Sequence, residues 1–331
     1  MNGGKHYPII EFLLPGMQDT LKTVMLVAFL LAVLGGASLL NRGTASLVDS
    51  QRREQEKHPR LMSNNIPPPK LSADAVMVER LLDKRVLSER QADLKLPIAS
   101  LTKLMSALLL AEVGEPLASV TFSADAKGAG AADDKRSDVS VGDRLKAEDV
   151  LTLMLVASDN DAAYAAADSV AGRRPASESG QSFAERVAFF VRRMNERAGE
   201  LHLANTHFAN PTGRDDPENY STARDLAALA RFIQDTQPGL WAATRLQETF
   251  VFGESGRRYG VVNTNPILQE IPEIYGSKTG FDDQAKGALV MLYQLAPGDL
   301  IALVLLHSTD RFADGRALVE WVRENFSLPA N

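Results

Sequence analysis

Ser100 and Lys103 are the residues of this 331-residue sequence whose types and spacing point most directly to covalent chemistry. Residues 100–103 read Ser-Leu-Thr-Lys, follow Pro97, and lead into an apolar stretch, residues 101–111, that favours a helix. Ser100 is therefore expected at a helix N-terminus, where backbone N–H groups and the positive end of the helix dipole stabilise developing negative charge. Lys103, three residues later, would lie on the same face as this candidate nucleophile.

Lys103 is a candidate general base for Ser100. A lysine with the ordinary pKa of about 10.4 is a poor base at neutral pH, so its pKa must be lowered to near 7, a change of about 4 kcal/mol. Desolvation and a neighbouring cation can lower it, and Lys278 is the obvious second cation. The alternative is a solvated helix lysine, which Leu101 and Leu104 disfavour because they indicate a mostly buried helix.

Ser158, Asp159 and Asn160 form a second polar string, between two apolar stretches predicted as helices, residues 147–157 and 161–168. Packing on both sides would fix a hydroxyl and an amide there, as a proton relay and a substrate-amide ligand require. Helix capping is the alternative, because Ser, Asp and Asn are the favoured N-cap residues. Taken alone, the string favours capping, and its combination with the first string favours catalysis.

Lys278, Thr279 and Gly280 end a stretch, residues 272–280, that is predicted as an extended edge of a sheet. Gly280 stands where a side chain would block the close approach of another backbone. A peptide substrate could lie along this edge by strand addition. An ordinary lysine in a glycine-rich turn is the alternative.

The order of the three strings, Ser-x-x-Lys, Ser-x-Asn and Lys-Thr-Gly, resembles the signature of penicillin-binding proteins and class A β-lactamases. Over about residues 71–327 the sequence resembles the low-molecular-mass penicillin-binding proteins of the D-alanyl-D-alanine carboxypeptidase and endopeptidase family. Further similar segments lie outside the three strings. They are residues 96–105, 160–163, 210–213, 220–227 and 311–314.

This resemblance implies a role for each residue of the first two strings. Ser100 would be the acylated nucleophile and Lys103 the base that activates it. Ser158 would pass a proton toward the leaving group, and Asn160 would bind the substrate amide. Asp159 receives no role from the resemblance.

The resemblance assigns substrate binding to the third string and its neighbours. Lys278 and Thr279 would bind the terminal carboxylate of the substrate. Phe281, which follows Gly280, would contribute its backbone N–H to the oxyanion hole, together with the N–H of the nucleophile. Arg311 would add positive charge near the same carboxylate.

Asp159 raises the alternative of a β-lactamase, since class A β-lactamases have aspartate where many carboxypeptidases of the family have glycine. A class A enzyme also needs a Glu-x-x-x-Asn pattern for its deacylating water, and none occurs between Asp161 and Ser277. The nearest glutamate, Glu218, lies in residues 214–219, which are predicted as a solvated turn. A peptidase is therefore favoured, and a non-catalytic wall-binding domain is a third alternative that the intact strings disfavour.

The composition excludes several other functions. Lys and Arg total 36 against 42 Asp and Glu, so the net charge of -6 gives no basis for binding nucleic acid. The sequence has no cysteine, which excludes disulfides and thiol chemistry, and its five histidines do not suggest a metal site. We expect no metal and no organic cofactor. The partners implied by the resemblance are peptidoglycan stem peptides that end in or are cross-linked through D-Ala, and β-lactam inhibitors.

The N-terminal region predicts a membrane anchor. Residues 23–40 form an uncharged apolar run between Lys22 and Arg42, long enough to span a bilayer as a helix. A cleaved signal peptide is the alternative, but Arg42 directly precedes the small residues at 43–45 and favours an uncleaved anchor. The predicted organisation is a cytoplasmic segment at 1–22, the anchor at 23–40, a linker at 41–70 and the catalytic domain at 71–329.

The basic residues around this run favour the opposite orientation. Two lysines precede it and four basic residues follow it closely, which by count places the catalytic domain inside the cell. Large domains can cross despite such a bias, and the implied substrate lies outside the membrane. We therefore expect a bacterial inner-membrane protein with its catalytic domain on the periplasmic side.

Strands at both ends of the domain, with helices between them, predict an α+β fold in which helices flank an antiparallel sheet. The resemblance implies the β-lactamase/transpeptidase-like version of this fold. We expect no further domain after the closing helix. The predicted elements are a first hairpin at 75–78 and 85–88, later strands at 260–262, 287–293 and 300–306, and a closing helix at 311–325.

Overall fold

A five-stranded antiparallel sheet lies at the centre of the described residues. The computed structural model describes residues 60–113, 119–129, 137–180 and 182–329. The strands in these ranges are β1 (Met62–Ser63), β2 (Ala75–Arg80), β3 (Arg85–Arg90), β4 (Leu96–Pro97), β5 (Ser119–Thr121), β6 (Arg144–Lys146), β7 (Tyr220–Ser221), β8 (Glu248–Phe252), β9 (Arg258–Val262), β10 (Ile274–Asp282), β11 (Lys286–Ala296), β12 (Asp299–Ser308) and β13 (Phe326–Ser327). The central sheet has the order β10-β11-β12-β2-β3, with every neighbouring pair antiparallel.

Helices connect the two ends of this sheet and cover its faces. In the described ranges they are α1 (Lys103–Val113), α2 (Ala124–Ala129), α3 (Ala147–Thr152), α4 (Asn160–Gly172), α5 (Ala176–Ser179), α6 (Phe183–Glu200), α7 (Ala223–Thr236), α8 (Gly239–Ala243) and α9 (Arg311–Asn325). A 3-10 turn, Ala99–Thr102, precedes α1, and a single π turn, Leu153–Ala157, continues α3. The α+β prediction is confirmed, as are the first hairpin, β2–β3, and the closing helix, α9.

Two of the three interior strands, β11 and β12, are apolar along nearly their whole length because both faces of the sheet are covered. Side chains alternate between the faces of a strand. Val290 and Leu292 therefore enter the larger core, which includes α1, α4 and α7. Leu289 and Met291 enter a second core beneath α9. Strand β10 is one edge of the sheet and packs against the 3-10 turn at Ala99–Thr102.

The compact unit begins at Leu61, earlier than the predicted domain start at residue 71. Strand β1 pairs with β13 at the other end of the chain, and Leu61 is buried. The Trp321 indole N–H donates to the carbonyl of Ile66 at 2.9 Å. Residues 61–70, which the sequence analysis placed in a linker, therefore belong to the folded unit. A proline-rich sequence is typical of a flexible linker, but here it forms an extended segment that packs against α9.

The membrane prediction falls outside the described ranges. The predicted cytoplasmic segment at 1–22, the anchor at 23–40 and the remaining linker to residue 59 are not among the described residues. Within the ranges that are described, no helix combines the length and the apolar character needed to cross a bilayer.

Candidate active site

Ser100 and Lys103 lie together at the start of the helix that the sequence predicts there. Ser100 belongs to the 3-10 turn, and Lys103 is the first residue of α1, so the turn and helix are continuous. The Lys103 Nζ lies 2.9 Å from the Ser100 Oγ. Lys103 is completely buried and Ser100 is 7% exposed. A buried amine favours its neutral form, which has the lone pair that a base needs.

A turn distant in sequence positions the Lys103 amine. Lys103 Nζ donates to the carbonyl oxygen of Thr212 at 2.7 Å. The Asn210 side-chain oxygen accepts from the backbone N–H groups of Thr212, Gly213 and Arg214 and so stabilises the turn that presents this carbonyl. From the sequence alone, residues 210–213 are known only as a segment similar to the family. The Asn-Pro-x-Gly pattern signals a turn but not what the turn contacts.

Gly213 lets this turn pack directly against the residue before the nucleophile. Its φ of +83° lies in the left-handed region, and a Cβ at this position would be 1.8 Å from the carbonyl oxygen of Ala99. Ala99 itself has a φ of +46°. The backbone on both sides of the Ser100 and Lys103 pair is therefore tightly constrained.

Ser158 and Lys278 form the second contact among the predicted site residues. Ser158 follows the π turn with φ 61° and ψ 34°, a left-handed conformation that is uncommon outside glycine. Lys278 Nζ donates to the Ser158 Oγ at 2.9 Å and to the carbonyl oxygen of Thr279 at 2.8 Å. Both Ser158 and Lys278 are buried. The pair links the helical half of the structure to strand β10.

Asn160 and Asp159 lie at the start of α4, immediately after Ser158. Asn160 is its first residue, and Asp159 is its N-cap, with the carboxylate accepting from the Ala162 N–H at 2.7 Å. Burial raises the pKa of Asp159 to about 6, and the nearby Asp161 carboxylate acts in the same direction as burial, although the Ala162 N–H opposes both. Asp159 thus caps α4, while Ser158 and Asn160 on either side of it lie in the candidate site. The two alternatives from the sequence, capping and catalysis, are both present in one string.

Strand β10 brings the third string against the nucleophile turn. A Cβ on Gly280 would lie 2.9 Å from the Ile98 carbonyl oxygen and 3.2 Å from the Ser100 nitrogen. The predicted close approach of another backbone at this glycine is therefore present. The Thr279 hydroxyl lies 2.6 Å from that of Thr264. Phe281, the next residue, is half exposed on the edge. The three strings therefore meet in one cleft.

Arg311 lies beside Phe281 at the end of this edge. Its guanidinium carbon is 5.2 Å from the ring centroid of Phe281 and 4.3 Å from that of Phe312. The Nε atom is buried and has no hydrogen-bond partner among the described residues. Burial lowers the pKa of Arg311 from its ordinary value, but a guanidinium remains charged at any physiological pH.

A cavity of about 430 Å³ opens beside the nucleophile turn and is partly lined by Ala99 and Gly213. Asp215 and Asp282 make one part of its wall acidic. Burial raises the pKa of Asp282 to about 6, and the adjacent Asp215 carboxyl raises it further against two opposing backbone N–H groups.

The loop at residues 214–219 is only partly the solvated turn that the sequence predicts. Glu218 is exposed, as expected. Asn219 is 3% exposed, and its side-chain N–H donates to the Thr102 hydroxyl at 2.9 Å. This contact ties the loop to the turn that contains Ser100.

Comparison with known proteins places the chain in a family. The sequence model of the D-alanyl-D-alanine carboxypeptidase family matches residues 62–309. A D-alanyl-D-alanine endopeptidase of Pseudomonas aeruginosa is 32% identical, over 77% of this chain and 81% of that protein. The carboxypeptidase DacF of Bacillus subtilis is 30% identical, over 72% of this chain and 58% of that protein.

A solved structure agrees with this assignment. The Streptomyces K15 DD-transpeptidase superimposes with a TM-score of 0.69 at 26% identity, and the match covers 77% of this chain and 98% of that one. The transpeptidase-like version of the α+β fold is therefore confirmed. Since the family model spans most of the folded unit, the chain belongs to the D-alanyl-D-alanine carboxypeptidase family and is a serine hydrolase.

Proposed function

We propose that this protein is a serine-type D-alanyl-D-alanine carboxypeptidase or endopeptidase that acts on peptidoglycan peptides through an acyl-serine intermediate. The observation that carries the proposal is the buried pair of Ser100 and Lys103, whose Oγ and Nζ are 2.9 Å apart. The names of the relatives support the substrate class, because they include both an endopeptidase and a carboxypeptidase for D-Ala-D-Ala bonds.

Acylation begins with proton transfer from Ser100 to Lys103. The neutral amine can accept the hydroxyl proton through its lone pair while one of its own N–H groups still donates to the Thr212 carbonyl. The Ser100 Oγ attacks the carbonyl carbon of the D-Ala peptide bond. The resulting oxyanion is stabilised by the backbone N–H groups of Ser100 and Phe281.

The leaving amine departs with a proton supplied through Ser158. Its hydroxyl donates to the amine nitrogen as the C–N bond breaks and regains a proton from the protonated Lys103. Lys103 is then neutral again, and the acyl group remains as an ester of Ser100. Lys278, which donates to the Ser158 Oγ, stabilises the serine oxygen while the proton moves. Water then hydrolyses the ester with Lys103 again as base, which restores the free hydroxyl.

Recognition of the substrate uses the residues along β10 and at the start of α4. Asn160 binds the amide of the penultimate residue, and Thr279 and Lys278 bind the terminal carboxylate. Arg311, whose guanidinium lies 5.2 Å from the Phe281 ring centroid, adds a second positive charge at the end of the same edge. β-Lactams would acylate the same serine and inhibit the enzyme.

The cavity beside Ala99 supplies the space that a peptide substrate needs next to the nucleophile. A terminal D-Ala residue and a cross-linked peptide react with the same catalytic groups, so the two activities differ in what the ends of the cleft admit. Digestion of purified peptidoglycan, followed by mass spectrometry of the products, tests the proposal and separates the activities.

The expected digestion products are specific. Loss of one D-Ala from pentapeptides identifies a carboxypeptidase, and conversion of cross-linked dimers into monomers identifies an endopeptidase. Ser100→Ala should produce neither change. Unchanged peptidoglycan with the wild-type protein, or equal products from Ser100→Ala, would overturn the proposal.

We further propose that residues 23–40 anchor the protein in the bacterial inner membrane, with the catalytic domain in the periplasm. The apolar run and the extracytoplasmic position of peptidoglycan support this location. A reporter active only in the periplasm, fused after Asn331, should be active. A fusion active only as a cytoplasmic reporter would contradict the proposed orientation.

A further inference from the structure

Asp159 is a buried titratable residue within the second string that the proposed mechanism does not use. It is 3% exposed and lies between Ser158 and Asn160, to which the mechanism assigns proton transfer and amide binding. The neighbouring Ser158 adopts a left-handed conformation, which costs about 1–2 kcal/mol for a residue with a Cβ. Some local interaction must therefore stabilise the backbone there.

Asp159 supplies such interactions on both sides. Its backbone N–H donates to the Leu153 carbonyl at 3.1 Å, which ties it to the incoming π turn. Its carboxylate accepts from the Ala162 N–H at 2.7 Å, which ties it to the outgoing helix α4. The bond to Leu153 closes the loop that contains Ser158, and the cap at Ala162 holds the end of that loop against α4. The Ser158 hydroxyl thereby remains 2.9 Å from the Lys278 Nζ.

A partly buried ion pair stabilises the same turn of α4. Asp161 is completely buried, and Lys127 Nζ donates to its carboxylate at 2.6 Å. Lys127, in α2, also donates to the Ser137 carbonyl at 2.7 Å. The charged groups that act on Asp159 are thus Asp161 from its own helix, which disfavours a second negative charge, and Lys127 from α2, which favours it.

We propose that Asp159 is a positioning residue for acylation, in which its carboxylate caps α4 and thereby keeps Ser158 and Asn160 in their reactive placement. This inference rests on the proposed function of the site. The ionised carboxylate is the stronger acceptor and also interacts favourably with the helix dipole. Protonation below a pKa of about 6 weakens the cap, so acylation slows as the pH falls.

The test compares acylation of purified full-length variants by a penicillin, with separate measurement of binding and of the first-order acylation step. Asp159→Ala removes the acceptor and should lower the first-order constant about tenfold. Binding should weaken as well, because Asn160 is the amide ligand. Asp159→Asn keeps a favoured cap and should recover to within about threefold of wild type. Ser182→Ala, which removes the exposed N-cap of α6, is a matched control that should lower the melting temperature without slowing acylation.

The pH dependence distinguishes positioning from a purely structural role. The ratio of wild-type to Asp159→Asn acylation rates should fall about threefold between pH 7 and pH 5, because only the wild-type cap is protonated in this range. Any effect of pH on Lys103 is common to both proteins and cancels in the ratio. A constant ratio, or a folded Asp159→Ala protein that acylates as fast as wild type, would overturn the inference. If the wild-type protein is not acylated at all, the proposed function fails first, so the two failures are distinguishable.

Discussion

Replacement of Lys103 by arginine is expected to slow acylation of Ser100 by at least ~10³-fold. A guanidinium keeps its proton at any accessible pH, so it cannot accept the serine proton even though it retains positive charge. The rate would be followed with a fluorescent penicillin. Lys103 is completely buried, so Lys103→Met provides a second, smaller variant, and a thermal melt of each protein verifies that it is folded.

Lys146→Arg is the matched control for this substitution. Its side chain is 70% exposed and lies on β6, so exchange of ammonium for guanidinium there should leave acylation unchanged. A folded Lys103→Arg or Lys103→Met protein that is labelled at nearly the wild-type rate would show that another group activates Ser100.

Gly213→Ala is expected to destabilise the protein by about 3 kcal/mol or more, and so to lower its melting temperature by roughly 10 °C. The new Cβ would lie 1.8 Å from the Ala99 carbonyl oxygen, in a backbone conformation with φ +83° that L-residues rarely adopt. Either the turn or residue 99 must move. Because the preceding Thr212 carbonyl accepts from Lys103, the acylation rate should fall as well.

Gly256→Ala separates the collision from the conformational cost. Gly256 also has a positive φ, +81°, but its Cβ would meet no atom within 4 Å. The free energy of unfolding of this variant should fall by only about 1 kcal/mol, the cost of the left-handed conformation. Its Ser100 should be acylated at the wild-type rate. If Gly213→Ala melts within about 2 °C of Gly256→Ala and acylates at the same rate, the tight packing at Ala99 is not important for the site.

The parts of the site that the sequence predicts are those specified by local patterns. Ser100 and Lys103 are three residues apart at the start of an apolar helix, so helical geometry alone places them together. Gly280 ends an extended run, and the absence of a side chain indicates a close backbone approach. The contact of Lys278 with Ser158 spans 120 residues. The family resemblance assigns both residues to one site but does not predict that they touch.

The parts that the sequence does not predict depend on contacts between distant segments. The Thr212 carbonyl accepts from Lys103 across 109 residues, and a backbone acceptor leaves no mark on the residue type that supplies it. The start of the domain was placed too late for a similar reason. A proline-rich stretch is typical of a linker, and only its pairing with β13 and Trp321 makes it part of the fold.

The most direct test of the acyl-serine mechanism is the intact mass of the purified protein over time after addition of a penicillin. Opening of the β-lactam ring by Ser100 adds the mass of the whole drug, so we expect a persistent adduct that maps to the peptide containing Ser100. Ser100→Ala should gain no mass. A missing adduct, or one on another residue, would rule out Ser100 as the acylated nucleophile. Rapid loss of the adduct with hydrolysed drug in solution would identify a β-lactamase instead.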